Sequence, residues 1–265
     1  MKTNLKYLSF RILGGLLLAC LLCLPRANAQ TRMATYNNIA WGCYFGDHKI
    51  TSKWGLHTEY QWRRTGFGQH AQQSLARIGV NYQLHPKVML TLGYGLIHTY
   101  SYGDLPIARL DNAGKGQLFP EHRIYQDVLI NDKIEKVDIQ HRLRLEQRYM
   151  GLFYDTENNR IAGKWKLFNR FRYRFKIAVP LTEKWYAHGY DELFVSFGKD
   201  VGYNVFDQNR INIGLGYKLN KHAKIEAGYF SQITQKARLS NNLAVFEYNQ
   251  GFLVSLFYNL DFTKK

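Results

Sequence analysis

Residues 170–177 alternate strictly between a cation and an aromatic or aliphatic side chain, and Ala178 and Val179 complete the segment. Because successive side chains of a β-strand point to opposite faces, a strand with this sequence has one charged face and one apolar face. The charged face holds Arg170, Arg172, Arg174 and Lys176, and the apolar face holds Phe171, Tyr173, Phe175, Ile177 and Val179. Such a strand suits the boundary between a polar and an apolar environment.

The same alternation recurs along the chain, for example at 54–63, 76–84, 137–149, 211–219 and 252–262. Segments of about ten residues with one apolar and one polar face are typical of a transmembrane β-barrel, in which lipid contacts one face and the lumen the other. No segment after the first 29 residues approaches the length and apolarity of a membrane-spanning helix. The pattern therefore predicts an all-β fold, a transmembrane antiparallel β-barrel.

Alternation alone does not show which face points outward. A soluble lipocalin-like barrel would place the apolar faces inside, but it uses only eight strands, and this chain has more segments than that. Tyrosine and tryptophan residues near the segment ends also suit the aromatic girdles of membrane barrels. The five tryptophans are Trp41, Trp54, Trp62, Trp165 and Trp185.

The first 29 residues read as a cleaved signal peptide. Lys2, Lys6 and Arg11 precede an apolar run over 12–24, and Ala27-Asn28-Ala29 offers a small-x-small cleavage site. The run is shorter than the roughly 20 residues that a helical membrane anchor needs, and Cys20 fits a lipidation site poorly because apolar residues continue beyond it. We expect a mature chain of residues 30–265 that forms a single outer-membrane β-barrel domain in a bacterium.

Charge and cysteine content restrict the chemistry further. The whole chain has a formal charge of +16, and loss of residues 1–29 removes four cations and no acid, which leaves +12. Cleavage also removes Cys20 and Cys23, so Cys43 alone remains and no internal disulfide is available. Residues 30–265 contain no CxxC motif, since Cys20 and Cys23 lie in the predicted signal peptide, and no metal-type Cys/His cluster, so we expect no metal and no cofactor.

Eleven segments have strand character. Bacterial single-chain barrels have even strand numbers. From a range of 10–12 we therefore expect twelve strands, with ten as the alternative, and an extra strand could lie in 31–38 or 243–248. The eleven segments are 39–46, 53–63, 74–84, 88–101, 119–131, 135–149, 165–179, 184–198, 206–219, 223–235 and 250–262.

The connections between these segments are of two kinds. Short periplasmic turns and longer outer loops are the usual arrangement in outer-membrane barrels. Here short links at 85–87, 131–135, 181–183 and 220–222 alternate with longer links near 64–74, 101–119, 150–164, 198–206 and 236–250. The apolar-aromatic segment that closes at Phe262 resembles the signal read by the barrel assembly machinery.

Several sequence runs, spread between Trp41 and Phe262, carry a family resemblance. They are residues 53–64 (KWGLHTEYQWRR), 120–126 (PEHRIYQ), 141–148 (HRLRLEQR), 190–192 (YDE) and 206–210 (FDQNR). In order and spacing they resemble the bacterial family known as domain of unknown function 2490. The resemblance implies an outer-membrane β-barrel without an assigned activity.

The polar face carries the charged residues that we expect to meet inside the barrel. Two interpretations stay open: a structural ion-pair lattice that fills the lumen, or an anion-favouring pore or binding cavity for small polar or anionic solutes. Asp207 is a further counterion. The expected network comprises Glu59, Arg63, Arg77, Glu121, Arg123, Arg142, Arg144, Glu146, Arg148, Arg170, Arg172, Arg174, Glu192 and Arg210.

A lipid-modifying outer-membrane hydrolase is the alternative class. It needs a nucleophile beside a base, and His98, Ser101, His122 and His141 are the residues to consider, although no GxSxG is present. His57 and Glu59 suit a hydrogen-bonded pair as well as a metal site. Nucleic-acid binding is not expected, because cations and aromatics occupy opposite faces. The expected partners are outer-membrane lipids, the assembly machinery and a small solute, with the protein a monomer and no catalytic residue assigned.

Overall fold

A computed structural model describes residues 32–100, 102, 118–156, 159–202, 204–240 and 242–263. The predicted signal peptide lies outside the described residues. Contacts divide the chain after Arg32, and the unit Met33–Lys265 contains the whole barrel except for Arg32 itself.

Eleven strands form one closed barrel in which each strand lies beside its sequence neighbours. The all-β barrel is confirmed, and each of the eleven predicted segments corresponds to one strand. The strands are β1 (Arg32–Lys49), β2 (Trp54–Thr65), β3 (His70–His85), β4 (Val88–Tyr100), β5 (Leu118–Ile134), β6 (Val137–Thr156), β7 (Asn159–Pro180), β8 (Trp185–Phe197), β9 (Phe206–Lys218), β10 (Ala223–Ser240) and β11 (Leu243–Tyr258).

The expected count of twelve strands is wrong. The two stretches considered for an extra strand, 31–38 and 243–248, instead supply the starts of β1 and β11 from Arg32 and Leu243 onward. An odd number of strands leaves the first and last strands running in the same direction, so the closing pair must be parallel.

The seam between β1 and β11 is parallel. Lys49 and Asp261 form a parallel bridge, and the Asp47 amide donates to the Asn259 side chain, 212 residues away in the chain. The same offset relates Tyr36 to Tyr248, whose rings stack at 5.2 Å. A Cβ at Gly251 would overlap the Ile39 carbonyl oxygen, so the close approach of the two strands requires a glycine there.

Short turns connect the strands at one end of the barrel, as predicted. Only Pro86 and Lys87 separate β3 from β4, and only Glu135 and Lys136 separate β5 from β6. Three of the expected long connections at the other end, near 64–74, 150–164 and 236–250, are wrong because the hairpins continue through them. β6 and β7, for example, pair as far as Thr156 and Asn159. A hairpin that extends past its apolar band needs only ladder hydrogen bonds, so sequence alternation does not mark its end.

The outer face of the barrel is apolar and the inner face is charged. Ile213 and Leu92 are 63% and 60% exposed on the outside, whereas Arg144 and Glu146 are buried inside. The lipocalin-like arrangement, with apolar side chains inside, is therefore excluded. One small apolar cluster does lie inside, where Ile39 and Trp41 of β1 meet Phe230 and Leu253. No helix in the described part of the chain has the length and apolarity of a membrane span.

Cysteine cross-linking tests the parallel seam. In a Cys43→Ser background, the double variant Tyr36→Cys/Tyr248→Cys is expected to form an intramolecular disulfide on mild oxidation, because neighbouring strands lie within the Cα separation that a disulfide spans. The disulfide is detected as a shift in gel mobility that a reductant reverses. The pair Tyr36→Cys/Phe252→Cys, displaced by about 13 Å along β11, is the control and should stay reduced. Cross-linking of the control alone would contradict the register.

Candidate functional site

The charged lumen is the candidate functional site, and β6 and β7 supply seven of the fourteen predicted network residues. Alternate residues of each strand face inward, and the register places Arg144 beside Arg172 and Glu146 beside Arg170. Cations thus lie opposite one another on neighbouring strands, an arrangement that is unfavourable unless carboxylates separate them.

Glu146 provides that separation at the centre of the lumen. Its side chain is fully buried, with 0% exposure. Arg170 Nη2 lies 2.6 Å from Oε2, and Arg172 Nη1 lies 2.7 Å from Oε1. Arg123 and Arg144 approach Oε1 at 3.3 and 4.0 Å. One carboxylate therefore contacts guanidinium groups from β5, β6 and β7.

Three further carboxylates, on β5, β8 and β9, extend the ion pairs around Glu146 to neighbouring strands. Glu121 pairs with Arg123 at 2.6 Å and with Arg148 at 2.8 Å. Asp207 on β9 lies 2.7 Å from Arg170 and 3.6 Å from Arg148. Glu192 on β8 pairs with Arg172 at 2.8 Å and with Arg142 at 2.5 Å.

A second part of the lattice lies on β2, β3 and β5. Glu59 pairs with Arg77 and accepts from the Gln61 side chain. Asp127 accepts from Arg144 through both of its oxygens, at 2.5 Å each. The Tyr125 ring, also buried, lies 4.4 Å from the Arg144 guanidinium carbon. Because Arg144 contacts both Asp127 and Glu146, it links the two parts.

Three of the predicted arginines pair with amides and aromatic rings instead of carboxylates, as far as the described residues show. Arg63 donates to Gln61 at 2.9 Å and lies 4.0 Å from the Trp41 ring. Arg210 donates to Gln208 at 2.8 Å and lies 4.5 Å from the Phe194 ring. Arg174 donates to Gln140 at 2.6 Å. The predicted network therefore divides into seven arginines paired with carboxylates and these three.

The sequence reading missed two charged clusters. Near the short turns, Glu226 accepts from Lys176 at 2.6 Å and from Tyr186 at 3.0 Å. Alternation on β10 places Glu226 inside, but its partners lie on β7 and β8, and only closure of the barrel shows that they meet. Asp127 was missed although it shares the inner face of β5 with Glu121 and Arg123.

The other cluster lies at the opposite end of the lumen. Glu247 on β11 accepts from Tyr102 at 2.6 Å and from Lys236 at 2.8 Å. Tyr102 lies outside the strands, and burial together with the negative charge of Glu247 raises the pKa of its hydroxyl. The sequence pattern predicts a loop near 236–250, and a residue in a loop is assigned to neither face of a strand. Glu247 is therefore absent from the predicted network.

A cavity of about 530 Å³ occupies the half of the lumen nearest the short turns. Asn131, Asp132, Pro180 and Asn259 line it near the turns, and Arg144 lines it on the side of the lattice. We call this cavity the chamber.

Asp132 at the rim of the chamber is paired with a cation. Lys87 Nζ lies 2.6 Å from its Oδ1.

Two of the histidines considered for hydrolysis, His122 and His141, lie beside tyrosines. Tyr94 Oη lies 2.5 Å from His122 Nδ1, and Tyr173 Oη lies 2.8 Å from His141 Nδ1. Ser101 lies outside the described residues. His57 lies inside the lumen, with Nδ1 2.7 Å from Asp47 Oδ1 and Nε2 3.4 Å from Glu59 Oε2. Within the described ranges, no group of three or more His, Cys, Asp and Glu side chains is placed to hold a metal ion.

Comparison with known protein families gives a match. The family described as "Protein of unknown function (DUF2490)" matches residues 38–242. The chain belongs to this family. The match confirms the predicted resemblance, and it covers β2 to β10 together with most of β1. No curated protein matches the chain, so the family adds no activity to what the lumen geometry indicates.

Removal of the central charge tests the importance of the lattice. Glu146→Gln is expected to destabilise the barrel by about 3–5 kcal/mol, because several buried guanidinium groups lose their shared counterion. The measurement is the urea midpoint of the refolded protein in detergent. Glu183→Gln, an exposed residue of the β7–β8 turn, is the matched control and should be neutral. Equal midpoints for the two variants would show that the lattice does not carry stability.

Proposed function

We propose that this protein is a bacterial outer-membrane β-barrel whose lumen is closed at its centre and whose chamber binds a small polar solute. The proposal that the barrel lies in a membrane rests on the polarity of its wall, which is apolar outside and ion-paired inside. In water, an outer face of this kind would expose far more contiguous apolar surface than soluble monomers tolerate. In a bilayer, the same face is solvated by lipid.

Aromatic residues at two levels of the outer face support this proposal. Trp54 and Trp62 point outward on β2 with exposures of 52% and 47%. Eight residues separate them, or about 27 Å along the strand, and a tilt of about 40° reduces this to about 20 Å across the wall. The apolar band of outer-membrane barrels has a height of about 25 Å, with aromatic girdles at both edges.

The ion-pair lattice supports a closed lumen over an open pore. An aqueous channel leaves its lining side chains hydrated, whereas Glu146 and Arg144 in the middle of this lumen are 0% and 2% exposed. The chamber reaches the lattice from the short-turn end only partway through the barrel. In the usual orientation of such barrels the short turns face the periplasm, so the proposed solute enters from that side.

We do not extend the proposal to lipid hydrolysis. A hydrolytic site needs a nucleophile within hydrogen-bond reach of the base. His122 and His141 lie on the outer wall beside the hydroxyl groups of Tyr94 and Tyr173. Those contacts suit histidines of an aromatic girdle, as expected for residues near the edges of the apolar band.

A lysine on the outer wall tests membrane insertion. Ile213→Lys is expected to reduce the unfolding free energy of the lipid-embedded protein by about 2–4 kcal/mol, because a charge near the centre of the bilayer is poorly solvated. Unfolding from lipid vesicles in urea is the measurement. Ile50→Lys, in the β1–β2 turn, is the control for the charge alone. A soluble barrel would tolerate both substitutions, and that result would refute membrane residence.

Conductance tests the closed lumen. The refolded protein is expected to insert into a planar bilayer without discrete current steps, since the lattice leaves no continuous aqueous path. Heat-modifiable migration of the same sample shows that the barrel is folded. Stable current steps from the wild-type protein would contradict the closed lumen and indicate a pore.

A further inference from the structure

Three arginines meet on the lattice side of the chamber. Arg142 and Arg144 lie two residues apart on the inner face of β6, and Arg142 is paired in register with Arg174 on β7. All three side chains line the chamber. We call them the arginine cluster. Three guanidinium groups on one wall repel one another unless negative charge lies between them.

Each arginine of the cluster keeps a buried donor without a hydrogen-bond acceptor among the described residues. These donors are Arg142 Nε, Arg144 Nη1 and Arg174 Nε. Their other groups are engaged, Arg142 with Glu192, Arg144 with Asp127 and Arg174 with Gln140. Arg144 Nη1 has only a distant carboxylate, 4.0 Å away on Glu146. Buried charged donors of this kind are costly to leave unpaired, which indicates an acceptor supplied from outside the chain.

The carboxylates that line the chamber are already paired. Each lies beside a cation, at distances of 2.5–3.5 Å; Asp127 pairs with Arg144 of the cluster, and the other four pair with cations outside it. The pairs are Asp47 with His57, Asp127 with Arg144, Asp132 with Lys87, Asp138 with Lys133 and Glu226 with Lys176. Arg174 has no carboxylate partner in the described part of the chain.

We infer that the chamber is a binding site for a small oxyanion, a phosphate or carboxylate group held by Arg142, Arg144 and Arg174. Guanidinium groups present donors whose geometry matches both oxyanions, and a cluster in a half-enclosed cavity concentrates negative solutes. This inference rests on the proposed binding function and specifies the chemistry of the solute.

Calorimetric titration with inorganic phosphate tests the site. The refolded protein is held in an uncharged maltoside detergent at low chloride concentration. Arg174→Gln removes the guanidinium that has no carboxylate partner and is expected to weaken phosphate binding at least tenfold, with the wild-type heat-modifiable band retained. Arg210→Gln is the matched control: it also removes an interior arginine without a carboxylate partner, but one that does not line the chamber. It should bind phosphate within twofold of the wild type.

The outcomes separate the oxyanion site from the proposed function. The same titration is made with succinate, which carries carboxylate groups. The arginine cluster is overturned as the site if the wild-type protein binds neither anion. It is also overturned if Arg174→Gln and Arg210→Gln weaken phosphate binding equally. Access to the chamber is measured independently by labelling Met89→Cys, a chamber residue, with a small thiol reagent in a Cys43→Ser background. Labelling without anion binding overturns only the oxyanion site, whereas a cysteine that stays unlabelled in the folded protein overturns the binding barrel itself.

Discussion

The ion pairs around Glu146 make this barrel possible. Its inner wall carries so many arginines that the strands could not close around them without shared counterions, because an unpaired charge in a dehydrated interior costs several kcal/mol. Glu146 serves Arg123, Arg170 and Arg172 at once, and Glu121, Asp207 and Glu192 extend the pairing. The centre of the lumen consequently holds a lattice of paired charges.

The parallel seam determines which charges can meet. In a closed barrel the register of each strand pair determines the height at which every inward side chain lies along the barrel axis. The pairing of β11 with β1 determines the height of the β1 side chains relative to those of β11. The constant offset of 212 residues between β1 and β11 brings Trp41 close to Phe230, 4.6 Å between ring centroids. Arg63 and Arg210 then lie near the same tryptophan ring, at 4.0 and 5.1 Å. Aromatic faces there take the place of carboxylates.

The balance of charge differs between the centre and the chamber. At the centre Glu121, Glu146, Glu192 and Asp207 each serve two or more arginines, although Arg172 keeps a buried Nε without an acceptor. At the chamber, Arg142, Arg144 and Arg174 retain such donors, and the acids other than Asp127 pair with cations outside the cluster. A solute with its own negative charge would complete the pairing, which connects the stability of the wall with its proposed function.

The sequence alone located eleven segments with strand character and the two faces of each, because alternation of side chains is a local property of an extended backbone. Arg170, Arg172 and Arg174 share one face by that rule, whatever the rest of the fold. Only the tertiary structure decided the odd strand count, the hub role of Glu146 and the pairing of Lys176 with Glu226, 50 residues apart. The physical reason is that contacts across a barrel depend on its closure and on the register of all its strand pairs together. The sequence of a single strand does not specify either of them.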